Sequence, residues 1–207
     1  GFATIAQDTA KRLGMDDSTF ADPAGLDTAG SFRGGPLMSA YDLAIAARNV
    51  LATPSVAEWG ARHIYDFTDP AGTGHHFVNH NRMLPGGDYP YPGANGLKTG
   101  FTNRAQHTLV ASATRNGRTL IAVVLGAVTS GWSEASALLD AGFATPATGD
   151  GPRLPEPSVS PYGTRSERRT GFSALAGVAV TTTTLPASDV PTSFDLSAPP
   201  SSARSTV

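Results

Sequence analysis

Two residues of this chain are lysines, Lys11 and Lys98, and the second stands in the stretch Gly96-Leu97-Lys98-Thr99-Gly100-Phe101-Thr102. An ammonium is a compact point charge with three donors, suited to holding a carboxylate or to raising the acidity of a neighbouring hydroxyl. Thr99 adds a neutral donor, and Gly100 lets a substrate backbone lie against a strand with no side chain between them. Lys98 and Thr99, displayed together just upstream of a strand hairpin, can therefore hold an anionic substrate group. Three common residues in a row also occur as an ordinary turn before a strand, so the surroundings of Lys98-Thr99-Gly100 must decide.

Other residues offer rival chemistries. Gly131-Trp132-Ser133-Glu134-Ala135 follows a strand and opens a helix, the setting of a nucleophile elbow, but its last position is alanine and the chain lacks the repeated strand and helix alternation of that fold. Ser133 is read instead as a helix-start residue. His76 and His80, beside His75, are four apart, a spacing that converges on a metal only along a helix. Residues 75–95 are rich in turn formers, so these are expected to be loop histidines, with no metal site and no cofactor. Tyr41 and Asp42 are assigned to helix capping and packing. Cysteine is absent, which removes disulfides, thiolate metal sites and a cysteine nucleophile together.

The elements that must position Lys98 can be read from periodicity. Residues 3–13 place Ile5, Ala6, Ala10 and Leu13 at helical spacing before Gly14. A long Gly- and Pro-containing loop from Asp16 to Pro36 follows, of a length that is more often functional than filler. Ser39 can cap a helix over 40–51 with Leu43, Ala44, Ala47, Val50 and Leu51 as its apolar stripe, ended by Thr53-Pro54. A short strand is expected over 62–67, then a turn at Asp69-Pro70-Ala71-Gly72. Residues 108–114 and 119–125 flank Arg115-Asn116-Gly117-Arg118, and Asn-Gly between apolar runs is the strongest short hairpin signal. Ser133 to Phe143 reads as a closing helix.

From Thr145 onward Pro, Ser, Thr and Gly dominate, so a folded domain over 1–145 and a disordered tail over 146–207 are expected. Within the tail the apolar run from Gly171 to Val180 is half of the roughly 20 residues needed to cross a bilayer, and is not a spanning helix as it stands. Arg165, Arg168 and Arg169 before it read as a solvated charge run in preference to a juxtamembrane cluster, which leaves membrane anchoring open. A formal net charge of -2 without a basic stripe gives no reason to expect nucleic acid as a partner. The chain opens on Gly1, and is expected to be processed or truncated at its start.

Taken in order, Gly25-Leu26-Asp27, Ser39-Ala40-Tyr41-Asp42-Leu43, Asn79-His80-Asn81-Arg82-Met83-Leu84, Gly96 to Thr102, Leu109 to Ala113 and Leu120 to Gly126 closely resemble the penicillin-binding D-alanyl-D-alanine carboxypeptidases of the low-molecular-mass serine-peptidase type. The resemblance covers roughly residues 2–143. It implies a mixed α/β fold of the serine transpeptidase and β-lactamase type, an antiparallel sheet flanked by helices, of which this chain supplies the C-terminal part. It implies an enzyme of the bacterial cell envelope that removes the terminal D-alanine from peptidoglycan stem peptides through an acyl-serine intermediate, and that β-lactams inhibit by acylating the same serine. Lys98 and Thr99 would then grip the substrate's terminal carboxylate, with Gly100 beside them in contact with the substrate, and the backbone N–H of Phe101 would supply half of the oxyanion hole.

The family's other two motifs are missing. Three positions before Lys11 and Lys98 stand Asp8 and Asn95, so there is no Ser-x-x-Lys, and no asparagine follows a serine by two positions, so there is no Ser-x-Asn. Both motifs lie upstream of the matching segment in the family, as a truncated copy would require. No catalytic residue is therefore assigned within this chain. A second departure is Ala105-Gln106 where the family usually has Ala-Gly, and the side chain is expected to crowd the strand after the site. Two alternatives stand beside the carboxypeptidase: a non-catalytic peptidoglycan-binding relic, which a true start codon at Gly1 would favour, and a β-lactamase-like hydrolase, which shares the Lys-Thr-Gly edge.

Overall fold

The computed structural model describes residues 1–21, 23–27, 36–146, 154–155 and 178–182. Helix α1, Phe2–Leu13, ends where Gly14 enters the left-handed region at φ 81, with the Gly14 N–H bonded to Lys11 O and the Met15 N–H to Ala10 O. These are the two bonds of a Schellman stop, which glycine accommodates without a Cβ penalty. Helix α2, Ala40–Leu51, starts at Ser39, whose hydroxyl accepts the Asp42 N–H at 3.1 Å as expected of an N-cap.

Pro54 does more than stop α2. It sits in the first turn of a further helix, α3, Pro54–Ala61, a position where a missing N–H costs nothing and the fixed φ suits the helix. The strand expected over 62–67 is β1, Ile64–Thr68, but its partner corrects the sequence reading: β2, Gly74–Val78, contains His75 and His76, which were expected in a loop. The hairpin hides from a hydrophobicity count because its cross-strand pairs are polar as well as aromatic. Asp66 faces His76 with a 2.5 Å contact, and Tyr65 and Phe67 face Phe77 and His75. Asp69 closes the turn by accepting the N–H groups of Ala71 and Thr73, both at 2.9 Å.

The main sheet is antiparallel with order β3-β4-β5-β6, comprising β3, Ala94–Thr102, β4, Gln106–Arg115, β5, Arg118–Ala127, and β6, Val178–Thr182. Asn116 and Gly117 both have positive φ, 50 and 74, as a two-residue type I′ turn between β4 and β5 demands. Side chains alternate across this sheet and both of its faces are covered. Val110, Ile121 and Val123 pack with Ala44, Ile45, Ala47 and Leu51 of α2, whereas Leu109, Ala111, Leu120, Ala122 and Val124 pack with Ala135 and Leu139 of α4, Trp132–Ala144. Burial on both faces explains why β4 and β5 read as nearly continuous apolar runs. The mixed α/β class, a sheet flanked by helices, is thus borne out.

Contacts with the folded part continue past the boundary expected near 145. Leu154 is 4% exposed within the α2 side of the core, and the buried Arg48 donates through Nη1 to the carbonyls of Leu154 and Pro155, each at 2.8 Å. Strand β6, inside the segment expected to be disordered, pairs with β5 from Leu120 to Val124. A guanidinium in a helix gathers carbonyls from a segment more than a hundred residues away, a contact that local composition cannot announce. Arg165, Arg168 and Arg169 lie outside the described residues, as does most of the Gly171 to Val180 run.

At the opposite side, Arg115 lies between the rings of Tyr91 and Phe143, 4.5 and 4.6 Å from their centroids, and donates to Pro92 O at 3.1 Å. Tyr91 donates its hydroxyl to Asp140 at 2.7 Å, so the segment entering β3 is fastened to α4. On α2, Asp42 is 1% exposed and accepts the Ser18 hydroxyl at 2.6 Å and the Asp17 N–H at 2.9 Å. Burial pushes its carboxyl above the usual carboxylate range, and the hydrogen bonds only partly oppose this. The folded protein therefore holds a proton more tightly than the unfolded chain, so Asp42 contributes stability that is present below the ordinary carboxylate pKa and is lost as pH rises through the elevated one. Denaturation midpoints followed upward from acid should carry this decline, and Asp42→Asn should remove its share of the slope.

Candidate substrate-binding edge

Strand β3 is an edge strand: it pairs with β4 on one side, and among the described residues no strand pairs with its other side. An edge presents unpaired N–H and C=O groups to which an extended peptide can add. Lys98, Thr99, Gly100 and Phe101 lie in this strand opposite Val110, Leu109, Thr108 and His107. Lys98 is exposed, Thr99 and Gly100 are half-buried, and Phe101 is 57% exposed. The Lys98 ammonium donates to the carbonyl of Thr99, and the Phe101 ring rests on His107 with centroids 4.6 Å apart. The structure thus gathers all four residues expected at the site onto one exposed edge.

What sets their placement is a bulge at the end of the stretch 75–95, which is rich in turn formers. Ala94 faces Ala113 and Gly96 faces Ser112, so Asn95 is an extra residue in β3. Its side chain is 8% exposed, accepts the Ser112 hydroxyl at 2.6 Å and donates to Thr114 Oγ1 at 3.0 Å, and Thr114 in turn lies 2.7 Å from the hydroxyl of the buried Thr119 on β5. This polar chain crosses three strands. It fixes the phase of β3 three residues before Lys98, because one residue of slip would exchange the faces on which Lys98 and Thr99 stand. Asn, Ser and Thr at matching strand positions were the available signal, and it is too weak to read without the pairing.

Gly100 has a packing reason beyond substrate approach. A Cβ built there would meet Thr108 Oγ1 at 2.6 Å, well inside contact distance. The departure from the family pattern at Gln106 also resolves differently from the crowding expected. Its side chain is exposed and donates to Asn103 O at 2.7 Å, and the difficulty lies in its backbone, which has φ 56 at the first position of β4. A left-handed residue is where glycine is favoured.

The rival sites do not assemble. Ser133 lies in the first turn of α4 and donates to its neighbour Glu134 at 2.8 Å, as a helix-start residue would. His75 and His76 contact Asp69 and Asp66 respectively across the β1–β2 hairpin, on opposite faces of it. Among the described residues no group of three or more His, Cys, Asp or Glu is close enough to share a metal ion.

The sequence model of the D-alanyl-D-alanine carboxypeptidase peptidase family matches residues 1–129. The chain belongs to that family. Among curated relatives, a D-alanyl-D-alanine carboxypeptidase of Mycobacterium tuberculosis is 38% identical over 149 residues, covering 68% of this chain and 48% of the relative. One from Bacillus subtilis is 35% identical over 120 residues, covering 58% of this chain and 28% of the relative. The chain therefore spans less than half of either. The structure is similar to penicillin-binding protein 6B of Escherichia coli, with a TM-score of 0.56 and 32% identity, covering 69% of this chain and 42% of that one. It is also similar to a penicillin-binding protein of Listeria monocytogenes solved with ampicillin bound, with a TM-score of 0.57 and 27% identity, covering 69% and 55% of the two chains. The serine transpeptidase type of fold expected from sequence is thereby established for this carboxypeptidase-family chain.

Two substitutions test the local geometry. Gly100→Ala should cost about 1–3 kcal/mol by overpacking against Thr108, and the loss should shrink when Thr108→Ala is made with it, read as a coupling in a urea-denaturation cycle. Gln106→Gly should gain about 0.5–1 kcal/mol by relieving the left-handed backbone, seen as a raised urea midpoint with an unchanged slope.

Proposed function

We propose that β3 is the carboxylate-recognition side of a serine-type D-Ala-D-Ala carboxypeptidase site, acting on peptidoglycan stem peptides in the bacterial cell envelope. The observation that carries this reading is the placement of Lys98, Thr99 and Gly100 on a strand that, among the described residues, is paired on one side only, in a chain of this family. A stem peptide would lie along the edge as an added strand. The Lys98 ammonium and the Thr99 hydroxyl would hold its terminal carboxylate, and Gly100 would let the backbone approach. The N–H of Phe101 would provide one donor to the oxyanion that forms when the scissile carbonyl is attacked.

The attack itself needs a serine with a lysine beside it and a proton relay, and neither Ser-x-x-Lys nor Ser-x-Asn occurs in these residues. Recognition and chemistry are thus carried by different parts of the family's site, and the part present here is recognition. The similar Listeria penicillin-binding protein solved with ampicillin bound supports β-lactams as a ligand class for the site to which this edge would belong. Residues 1–145, with Leu154 and β6 packed on them, would correspond to the C-terminal part of the catalytic domain.

Binding of N-acetyl-D-alanyl-D-alanine, compared with the same dipeptide as its C-terminal amide, checks the assignment. The acid should bind about tenfold more tightly than the amide, the scale of one charge-assisted hydrogen bond, and Lys98→Ala should erase the difference. A fluorescent penicillin should leave no covalent adduct on these 207 residues after denaturation. A stable adduct would overturn the assignment of the nucleophile to residues outside them.

A further inference from the structure

The turn that follows Phe101 is held by a residue far away in sequence. Asp27 Oδ1 accepts the Thr102 hydroxyl at 3.0 Å, and its Oδ2 accepts the backbone N–H of Arg104 at 3.2 Å. The Thr102 hydroxyl also accepts the Ala105 N–H at 3.0 Å, which orients it: its proton is given to Asp27 while its lone pair takes Ala105. One carboxylate therefore engages both the end of β3 and the turn into β4. That turn closes on Gln106 at φ 56, a conformation that a non-glycine residue does not hold unaided. The ends of an edge hairpin are where pairing opens first.

We propose that Asp27 is a positioning residue for the substrate edge. By clamping Thr102 and Arg104 it fixes the C-terminal end of β3, and with it the Phe101 N–H, through a route that does not pass along the β4 ladder. A carboxylate is the group suited to this task, because its two oxygens accept separate donors in a fixed geometry and the bonds gain from its charge. The inference rests on the reading of Lys98 and Thr99 as the carboxylate grip only where it concerns ligand affinity. The clamp itself is a matter of backbone order.

The test uses the full chain, amide NMR and N-acetyl-D-alanyl-D-alanine as probe. In Asp27→Ala the Arg104 amide should exchange about tenfold faster, the loss of one hydrogen bond's protection. The Gly100 and Phe101 resonances should move while those of Asn116 and Gly117, at the far end of β4, stay in place. Dipeptide affinity should fall about tenfold, as misplacement of a binding group implies. Asp27→Asn should restore affinity to within about threefold, because its oxygen can take the Arg104 N–H while its amide donates to Thr102. Thr102→Val, which removes one arm and leaves the carboxylate, should give a smaller loss than Asp27→Ala.

Unmoved Gly100 and Phe101 resonances in Asp27→Ala, an unchanged affinity, or a loss that Asp27→Asn fails to restore would each overturn the proposal. If the parent chain does not bind the dipeptide at all, the carboxylate reading fails instead. The Phe101 resonance then decides the clamp alone: a shift supports it and its absence sinks it.

Discussion

The strand pairing that fixes Lys98 and Thr99 comes from one side, since among the described residues β4 is the one strand paired with β3. Among the described residues no second strand sets the register of β3, and the β3–β4 ladder alone tolerates a slip unless something marks the phase. Here the mark is Asn95. As an extra residue it breaks the ladder at one point, and its buried side chain is satisfied only when Ser112 and Thr114 stand opposite. Leaving these groups unpaired in a buried sheet would cost more than the bond itself contributes. Registry is thus specified by the penalty on alternatives, without a second strand among the described residues.

The same logic extends outward through the layers. β4 can act as a rigid backing because both of its faces are packed, Val110 toward α2 and Leu109, Ala111 and Ala113 toward α4. Helix α2 in turn carries two buried ionisable side chains. Asp42 accepts donors from residues 17 and 18, and Arg48 donates to the carbonyls of 154 and 155. These contacts tie segments from both ends of the described chain to the helix that covers the sheet. Removing one partner of such a contact strands a buried polar group, so α2 is coupled to its surroundings by groups that hydrophobic packing alone would not require.

The sequence made visible whatever is encoded within a few residues. Ser39 as a cap, Asn116-Gly117 as a hairpin turn and the apolar runs of β4 and β5 each depend on local stereochemistry, and each appears where it was expected. Lys98 to Phe101 were found by motif and share one edge. Helix α3 was missed because Pro54 was taken only as a stop, although the property that bars proline from a helix interior suits it to the first turn. Strand β2 was missed because His75, His76 and Gly74 look like loop chemistry until Asp66 and Phe67 are placed opposite. Asn95, Leu154 and β6 acquire meaning only through partners 17 or more residues away, and no periodicity reports such partners.

If β3 is the recognition edge proposed above, its separation from the nucleophile would follow from the way acyl transfer divides its labour. The carboxylate of a peptide terminus carries a full charge before, during and after reaction, so the group that holds it contributes uniform binding and can be fixed in a sheet. Charge on the scissile oxygen appears only in the transition state, and its donors must be aimed at where that oxygen will be. On the proposed reading these two demands would fall on neighbouring residues of β3: Lys98 and Thr99 would present side-chain donors, whereas Phe101 would offer its backbone. Side chains can adjust to a ligand by rotation, but a backbone N–H is aimed solely by the strand that contains it. The demand for order therefore rises along β3 from Lys98 toward Phe101, and it is at that end, one residue on, that a distant carboxylate meets the strand.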